Sequence, residues 1–250
     1  MLACRCLPVA LSQTGFVLGA AISGGALAKH PRFGVVWPGV LEALNLIGST
    51  QVQGRASLGG NLCNGSPAAD SVPAMIAAAT ICTIAGPNGQ REAPVEDIVT
   101  GPGQTSLAID EFIVNFFLPL RPPHSGDAYL RFIPRTEMDI AVVGVGVNLV
   151  LDADGTCSFA RVAIGAVAPT ALLVPAASEA LVTPHAAPPP ANRLGSGVPS
   201  PRTSIPMARR NRQSSATCGS HAACRISVTP LAVAAAKIAV SVPVTEASSR

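Results

Sequence analysis

Short apolar blocks separated by glycine, proline and polar residues run through the first two-thirds of the chain, and their spacing predicts alternating strands and helices. Phe16 to Ala21 is an apolar run of strand length, followed by a turn and a helix start at Ser23. In VVWPGVLEALNLIGS (residues 35–49) the apolar positions recur at helical spacing, and Pro38 falls where a first helical turn tolerates it. SVPAMIAAAT (71–80) predicts an alanine-rich helix with Pro73 in its first turn. TICTIAG (80–86) predicts a strand ending at the turn PNGQ. Phe112 to Leu118 predicts another strand, stopped by Pro119. AYLRFIP (128–134) predicts extended chain. Residues 139–169 then predict a long strand, a turn at Asp152–Gly155 and a return strand, because aspartate and glycine between two β-branched runs favour a hairpin. PTALLVPAASEALVTP predicts a helix up to about Val182. The pattern gives an α+β body in two pieces divided near residue 123.

Charge and composition separate this body from the remaining third of the chain. Overall, 48% of the residues are hydrophobic, 12% are charged and the formal net charge is +3. Residues 1–183 hold nine Lys/Arg and thirteen Asp/Glu, whereas residues 184–250 hold eight Lys/Arg and only Glu246. All nine aromatic residues precede residue 160, and nine prolines lie in the tail, in runs such as APPPANRLGSGVPSPRTS. A segment without aromatic residues cannot bury enough apolar surface to offset its ordering entropy, so residues 184–250 are expected to be disordered. The basic cluster ARRNR (208–212) has no aromatic residues or fold around it and reads as solvated tail; no nucleic-acid partner is expected. Seven cysteines show no CxxC and no Cys/His ligand spacing, which argues against a disulfide framework or a zinc site and for reduced thiols in the cytoplasm. His30, His124, His185 and His221 are isolated. Cys6 to Ala28 carries no charge and ends in Ala-Leu-Ala, a small-residue motif like that of an export signal. Gln13, Thr14 and Gly15 interrupt the run, so neither an export signal nor a membrane span is expected.

The densest concentration of backbone freedom is GRASLGGNLCNGSPAAD (54–70). Gly59-Gly60-Asn61 after Ser57 offers backbone N–H groups, a hydroxyl and an amide, the parts of an anion-binding nest. The stretch leads into the 71–80 helix, where Asp70 has two readings: a helix cap, or an acceptor for ligand hydroxyls. It is neither a Walker A loop nor GxGxxG.

GRASLGGNLCNGSPAADSVPAM resembles the signature of the FAD-binding medium subunit of molybdenum hydroxylases, the carbon monoxide and xanthine dehydrogenase type. That signature is a small residue, Ser or Thr, an aliphatic residue, Gly-Gly-Asn, then Ser-Pro and Asp. YLRFIPRTEMDIAVVGVGVNLVLDADG and ARVAIGAVAPTALLVPAASEAL are similar to the start of the family's C-terminal domain, so the resemblance covers roughly residues 16–183. It implies a partial PCMH-type FAD-binding domain (16–123), a small α+β C-terminal domain with an antiparallel sheet (124–183), an unmatched segment (1–15) and the tail (184–250). It implies that Ser57, Leu58, Gly59, Gly60 and Asn61 hold the FAD pyrophosphate and that Asp70 bonds the sugar-alcohol portion. The Ile113 backbone would lie against the flavin ring; by pattern alone Ile113 is strand core. Arg131 stands where the family has a basic residue near the flavin, usually lysine. Tyr129 has two readings, a ring packed near the isoalloxazine or an ordinary half-buried strand aromatic.

The implied function is electron transfer from the iron–sulfur clusters of a small subunit, through FAD, to NAD, a quinone or oxygen. Substrate is oxidised on a separate molybdenum-cofactor subunit. Residues 1–15 contain no Ala-Gly-Gly-Thr loop of the kind that grips the pyrophosphate from its other side, and nothing after residue 183 matches the Arg- and Leu-rich helix in which the family's C-terminal domain ends. The alternative is therefore a truncated or frame-shifted remnant that binds no flavin.

Overall fold

The computed structural model describes residues 9–134 and 139–182; the expectations for the 184–250 tail lie outside the described residues. Strands β1 (Ala10–Leu11) and β2 (Gly15–Gly19) lead into a run of short helices, α1 (Gly24–Ala28), α2 (Phe33–Val36), α3 (Pro38–Asn45), α4 (Thr50–Gln53), α5 (Leu58–Cys63) and α6 (Ser71–Ala77). β3 (Ile81–Gly86) and β4 (Gly89–Pro94) form a hairpin. After a 3-10 turn at Val95–Asp97 come the small pair β5 (Val99–Gly101) and β6 (Gln104–Thr105), and then β7 (Phe112–Pro119). The second sheet uses β8 (Ser125–Phe132), β9 (Val143–Leu151), β10 (Cys157–Gly165) and β11 (Leu172–Leu173), with α7 (Pro175–Val182) across it. The fold is α+β, as the pattern predicts.

The first sheet has the order β1-β2-β7-β3-β4, every pair antiparallel. Its inner face alternates as a half-buried sheet requires: Phe16 and Leu18 on β2, Cys82 and Ile84 on β3, Phe116 and Leu118 on β7 are all fully buried. They pack under the helices, with Phe16 and Phe33 meeting edge to face at 5.4 Å. Each such side chain contributes about 1.5–3 kcal/mol on burial. The outer edge, β4, carries Gln90, Arg91 and Glu92 exposed, a charged edge that discourages further strand pairing.

The expected single helix over 35–49 is broken. Trp37 adopts φ −126°, ψ 62°, which ends α2 and lets Pro38 start α3. The break puts Trp37, 1% exposed, into the core instead of on a helix flank.

The second sheet has the order β11-β10-β9-β8, and its hairpin turns where Asp152–Gly155 predicts, with Gly155 at φ +86°. One face, with Val145, Val147, Val162 and Ile164, is covered by α7. The other face is stripped of side chains at Gly144, Gly146 and Gly165, and α6 lies on it. A Cβ on Gly146 would sit 2.6 Å from the Pro73 carbonyl carbon and 2.8 Å from Ala74 N. One on Gly165 would sit 2.7 Å from Pro73 Cγ. Every residue of α6 is buried, consistent with its almost uniformly apolar sequence.

Arginines tie the second sheet and its lead-in to the first part. Arg121 donates to the Val36 carbonyl (2.9 Å) and to Asp127 Oδ1 (2.5 Å), reaches Asn148 Oδ1, and stacks over Trp37 at 4.8 Å. Arg161 donates to the Ile76 carbonyl (2.7 Å) and pairs with Glu96.

Candidate functional site

The glycine segment is not an open loop. Ser57 takes an extended conformation (φ −130°, ψ 159°) and caps α5, its Oγ accepting from Gly60 N at 3.1 Å. Leu58 and Leu62 anchor the helix in the core, while Gly60, Cys63 and Asn64 face outward. Beside it runs the turn after β2. Gly59 N donates to the Ala20 carbonyl (3.1 Å), Ala20 N donates to the Val114 carbonyl (3.0 Å), and Gly24 N donates to the Ala56 carbonyl (2.9 Å).

The backbone donors expected to lie unshielded are engaged within the chain. Gly59 N goes to Ala20, Gly60 N to Ser57 Oγ, and Asn61 N to the Ser57 carbonyl at 3.0 Å. The two glycines also have different reasons to be glycine. A Cβ on Gly59 would lie 2.7 Å from the Ala20 carbonyl oxygen, so close backbone approach requires its absence. A Cβ on Gly60 would meet only Ser57 Oγ, at 3.2 Å, and otherwise open space.

Ile113 is 8% exposed and lies on β7 opposite Ile84, next to a register irregularity that leaves Val114 outside the β3 pairing. β7 here runs past the end of β2, whose last paired residue is Gly19 opposite Asn115. Val114, Ala20 and Gly59 are thus linked by consecutive backbone hydrogen bonds, which brings the Ile113 backbone into the neighbourhood of the glycine segment.

Asp70 does not cap α6. Its backbone is αR (φ −56°, ψ −41°) and its side chain makes no cap hydrogen bond, so the helix-cap reading is corrected. Its carboxylate, in a residue 8% exposed, is taken by the second sheet instead. Tyr129 Oη donates to Oδ1 at 2.9 Å, and Arg131 Nη1 donates to Oδ2 at 3.0 Å and to the Leu46 carbonyl at 3.1 Å. Burial raises the Asp70 carboxyl above its ordinary range, against the opposing pull of Tyr129 and Arg131. Burial likewise raises the Tyr129 hydroxyl, with the Asp70 charge adding to it. Tyr129 is 4% exposed, more enclosed than an ordinary half-buried strand aromatic, and its hydroxyl lies over Gly144 where any side chain would overlap it.

One step along the chain, Asn61 Oδ1 accepts from Ser71 N (3.3 Å) and from Ser71 Oγ (2.6 Å). Sequence reasoning names Asn61 but not Ser71, Ala20 or Leu46. Only the adjacency of Ser71 to Asp70 inside the glycine-rich signature could have pointed to it. Beside Arg131 a cleft of about 650 Å³ opens, walled by Asn45, Ser49, Thr50 and Gln53. The structure therefore brings Asp70, Tyr129 and Arg131 into one buried network. It joins Ser57, Gly60 and Asn61 at the exposed start of α5, and links the two groups through the first residues of α6.

Among known proteins, residues 8–121 match the model of the FAD binding domain in molybdopterin dehydrogenase, and residues 128–187 match the CO dehydrogenase flavoprotein C-terminal domain. The chain is 38% identical over 135 residues to the xanthine dehydrogenase FAD-binding subunit of Escherichia coli O157:H7, covering 53% of this chain and 46% of that one. It is 32% identical over 156 residues to the carbon monoxide dehydrogenase medium chain of Hydrogenophaga pseudoflava, covering 62% and 54%. A solved carbon monoxide dehydrogenase from the same organism, lacking the Mo-pyranopterin moiety of its cofactor, superposes with a TM-score of 0.66 at 31% identity, over 70% of this chain and 60% of that one. The chain spans about half the length of the curated relatives it matches.

Proposed function

The chain belongs to the family of FAD-binding subunits of molybdopterin dehydrogenases, and from that premise we propose that it is the electron-transfer flavoprotein subunit of a molybdenum-containing oxidoreductase. It works in the cytoplasm, beside an iron–sulfur subunit that delivers electrons and a molybdenum subunit that oxidises the substrate, with NAD, a quinone or oxygen as final acceptor. Residues 16–123 form the FAD-binding part and 124–183 the smaller C-terminal part. Among the described residues no helix is long and apolar enough to cross a membrane, and Cys63, Cys82 and Cys157 are free thiols, which supports a reducing compartment.

The exposed start of α5 fits a flavin dinucleotide, and this observation carries the reading. Ser57 Oγ accepts from Gly60 N and leaves its own proton free to donate. Asn61 engages its amide oxygen within the chain and leaves its amide N–H groups free for a phosphate oxygen. Gly60 presents no side chain to keep a diphosphate away. Leu58 and Gly59 hold this surface to the core. Asp70 keeps acceptor capacity beyond its two bonds, which suits sugar-alcohol hydroxyls, and Tyr129 and Arg131 fix its carboxylate. Ile113 contributes backbone at the edge of β7. When bound, FAD supplies a centre that accepts and releases electrons singly or in pairs. The chain's own residues bind and orient it.

The test is direct. The full chain, purified after expression with added riboflavin, is expected to carry flavin absorption bands close to one per chain. A soluble, folded chain that remains colourless after incubation with FAD overturns the proposal and leaves the flavin-free remnant as the reading.

A further inference from the structure

We propose that Ser71 is a positioning residue for the flavin diphosphate, acting through Asn61 and touching no ligand itself. The inference rests on the FAD reading above and adds to it a residue that is none of the signature's defining positions, the Gly-Gly-Asn, the Ser-Pro and the Asp. Ser71 is completely buried at the start of α6. Its backbone N–H can only donate, so the Asn61 atom that faces it must be the amide oxygen, and Ser71 Oγ, at 2.6 Å, gives that same oxygen a second donor. The amide is planar, so pinning Oδ1 turns Nδ2 away from α6. An amide rotated by half a turn would set donor against donor and leave a buried N–H unpaired.

Ser71 cannot drift to follow Asn61. α6 lies against Gly146 and Gly165 on the second sheet, and the preceding residue, Asp70, is held by Tyr129 and Arg131. The second sheet thus sets the orientation of a donor on α5, although no residue of that sheet touches Asn61 through these bonds. The hydroxyl at position 71 is directed to Asn61, whose amide oxygen is its hydrogen-bond acceptor.

The experiment titrates FAD into the full-length chain freed of flavin, following the quenching of flavin fluorescence, with the thermal midpoint of each ligand-free variant measured alongside. Ser71→Ala removes the stronger of the two bonds on Oδ1 and is expected to weaken FAD binding about tenfold. Ser71→Thr keeps the hydroxyl and restores most of that loss. Asn61→Asp still accepts from Ser71, so the midpoint stays near wild type, but it presents a carboxylate oxygen where the donor was. FAD affinity is then expected to fall at least a hundredfold. A merely structural contact predicts the reverse for Asn61→Asp, an unchanged affinity, and that result overturns the inference. Wild-type affinity in a folded Ser71→Ala chain overturns it as well. A wild-type chain that takes up no FAD is a separate outcome, which overturns the flavin reading and this inference with it.

Discussion

Gly59 and Gly60 are adjacent, chemically identical and expected to fail in opposite ways when each is replaced by alanine. At Gly59 the new methyl would stand 2.7 Å from the Ala20 carbonyl oxygen and 3.1 Å from Ala20 Cβ. Both belong to the turn that also accepts Gly59 N–H, so relief requires α5 and the turn to separate. Overpacking of this kind costs about 1–3 kcal/mol, and the stretched Gly59–Ala20 hydrogen bond costs about 1 kcal/mol more. The helix preference of alanine over glycine returns up to about 1 kcal/mol. The net loss is roughly 1–3 kcal/mol, at about 2–4 °C of melting temperature per kcal/mol for a chain of this size. At Gly60 the methyl meets only Ser57 Oγ at 3.2 Å, so Gly60→Ala keeps or slightly raises the melting temperature. It does cover the bare surface assigned to the diphosphate, and FAD affinity is expected to fall at least tenfold. Thermal denaturation of the flavin-free chains and FAD titration of each variant read the two effects separately. Equal melting losses at the two positions, or a Gly59→Ala chain as stable as wild type, would refute the division of roles.

Other outcomes rest on the packing between the two sheets. Gly146→Ala drives a methyl into the Pro73–Ala74 backbone and is expected to destabilise the chain by roughly 2–3 kcal/mol, read by urea unfolding; an unchanged midpoint would show that α6 does not rest on β9. Tyr129→Phe removes a buried donor from Asp70 Oδ1 and is expected to cost about 1–2 kcal/mol, read by thermal denaturation; no loss would mean that Asp70 is satisfied without it. Burial pushes the Asp127 carboxyl up to about 6 despite Arg121 beside it. Because that folded-state value lies above the unfolded one of about 3.9, its contribution is full below about pH 4 and is lost as the pH rises through 6. Asp127→Asn is therefore expected to flatten the stability decline between pH 4 and 7 by about 2–3 kcal/mol, and identical pH profiles for the two chains would contradict this.

What the sequence made legible was local. The Asp152–Gly155 hairpin rests on turn chemistry within a few residues, whereas the helix expected across PTALLVPAASEALVTP begins only at Pro175, because Leu172–Leu173 pair with β10 as β11. β4 was missed because GQREAP has no apolar alternation; it is a strand only because β3 pairs with it. The break at Trp37 depends on the buried slot beneath Arg121, a partner far along the chain. Asp70 shows the same limit most clearly. Its residue type and place allow a helix cap or an acceptor for ligand hydroxyls, but its partners within the chain, Tyr129 and Arg131, are brought to it by a strand of the second sheet. The glycines of VGVGV fit a strand by their alternation, yet their purposes, Gly146 to let α6 approach and Gly144 to make room for the Tyr129 hydroxyl, are visible only once the helix and the neighbouring strand are laid beside them. In the glycine-rich signature the residue types pointed to a ligand-facing surface. That Gly59 serves packing while Gly60 serves exposure required the Ala20 turn to be in view.

The central claim is that the start of α5 grips the diphosphate of a flavin dinucleotide, and comparing two ligands tests it most directly. Equilibrium titration of the flavin-free, full-length chain with FAD and with riboflavin, which has the same ring and sugar alcohol but neither the diphosphate nor the adenosine beyond it, sets the upper limit of that contribution. Two or more charge-assisted hydrogen bonds predict that FAD binds at least a hundredfold more tightly than riboflavin. Equal affinities for the two would contradict the assignment of Ser57, Gly60 and Asn61 to the diphosphate.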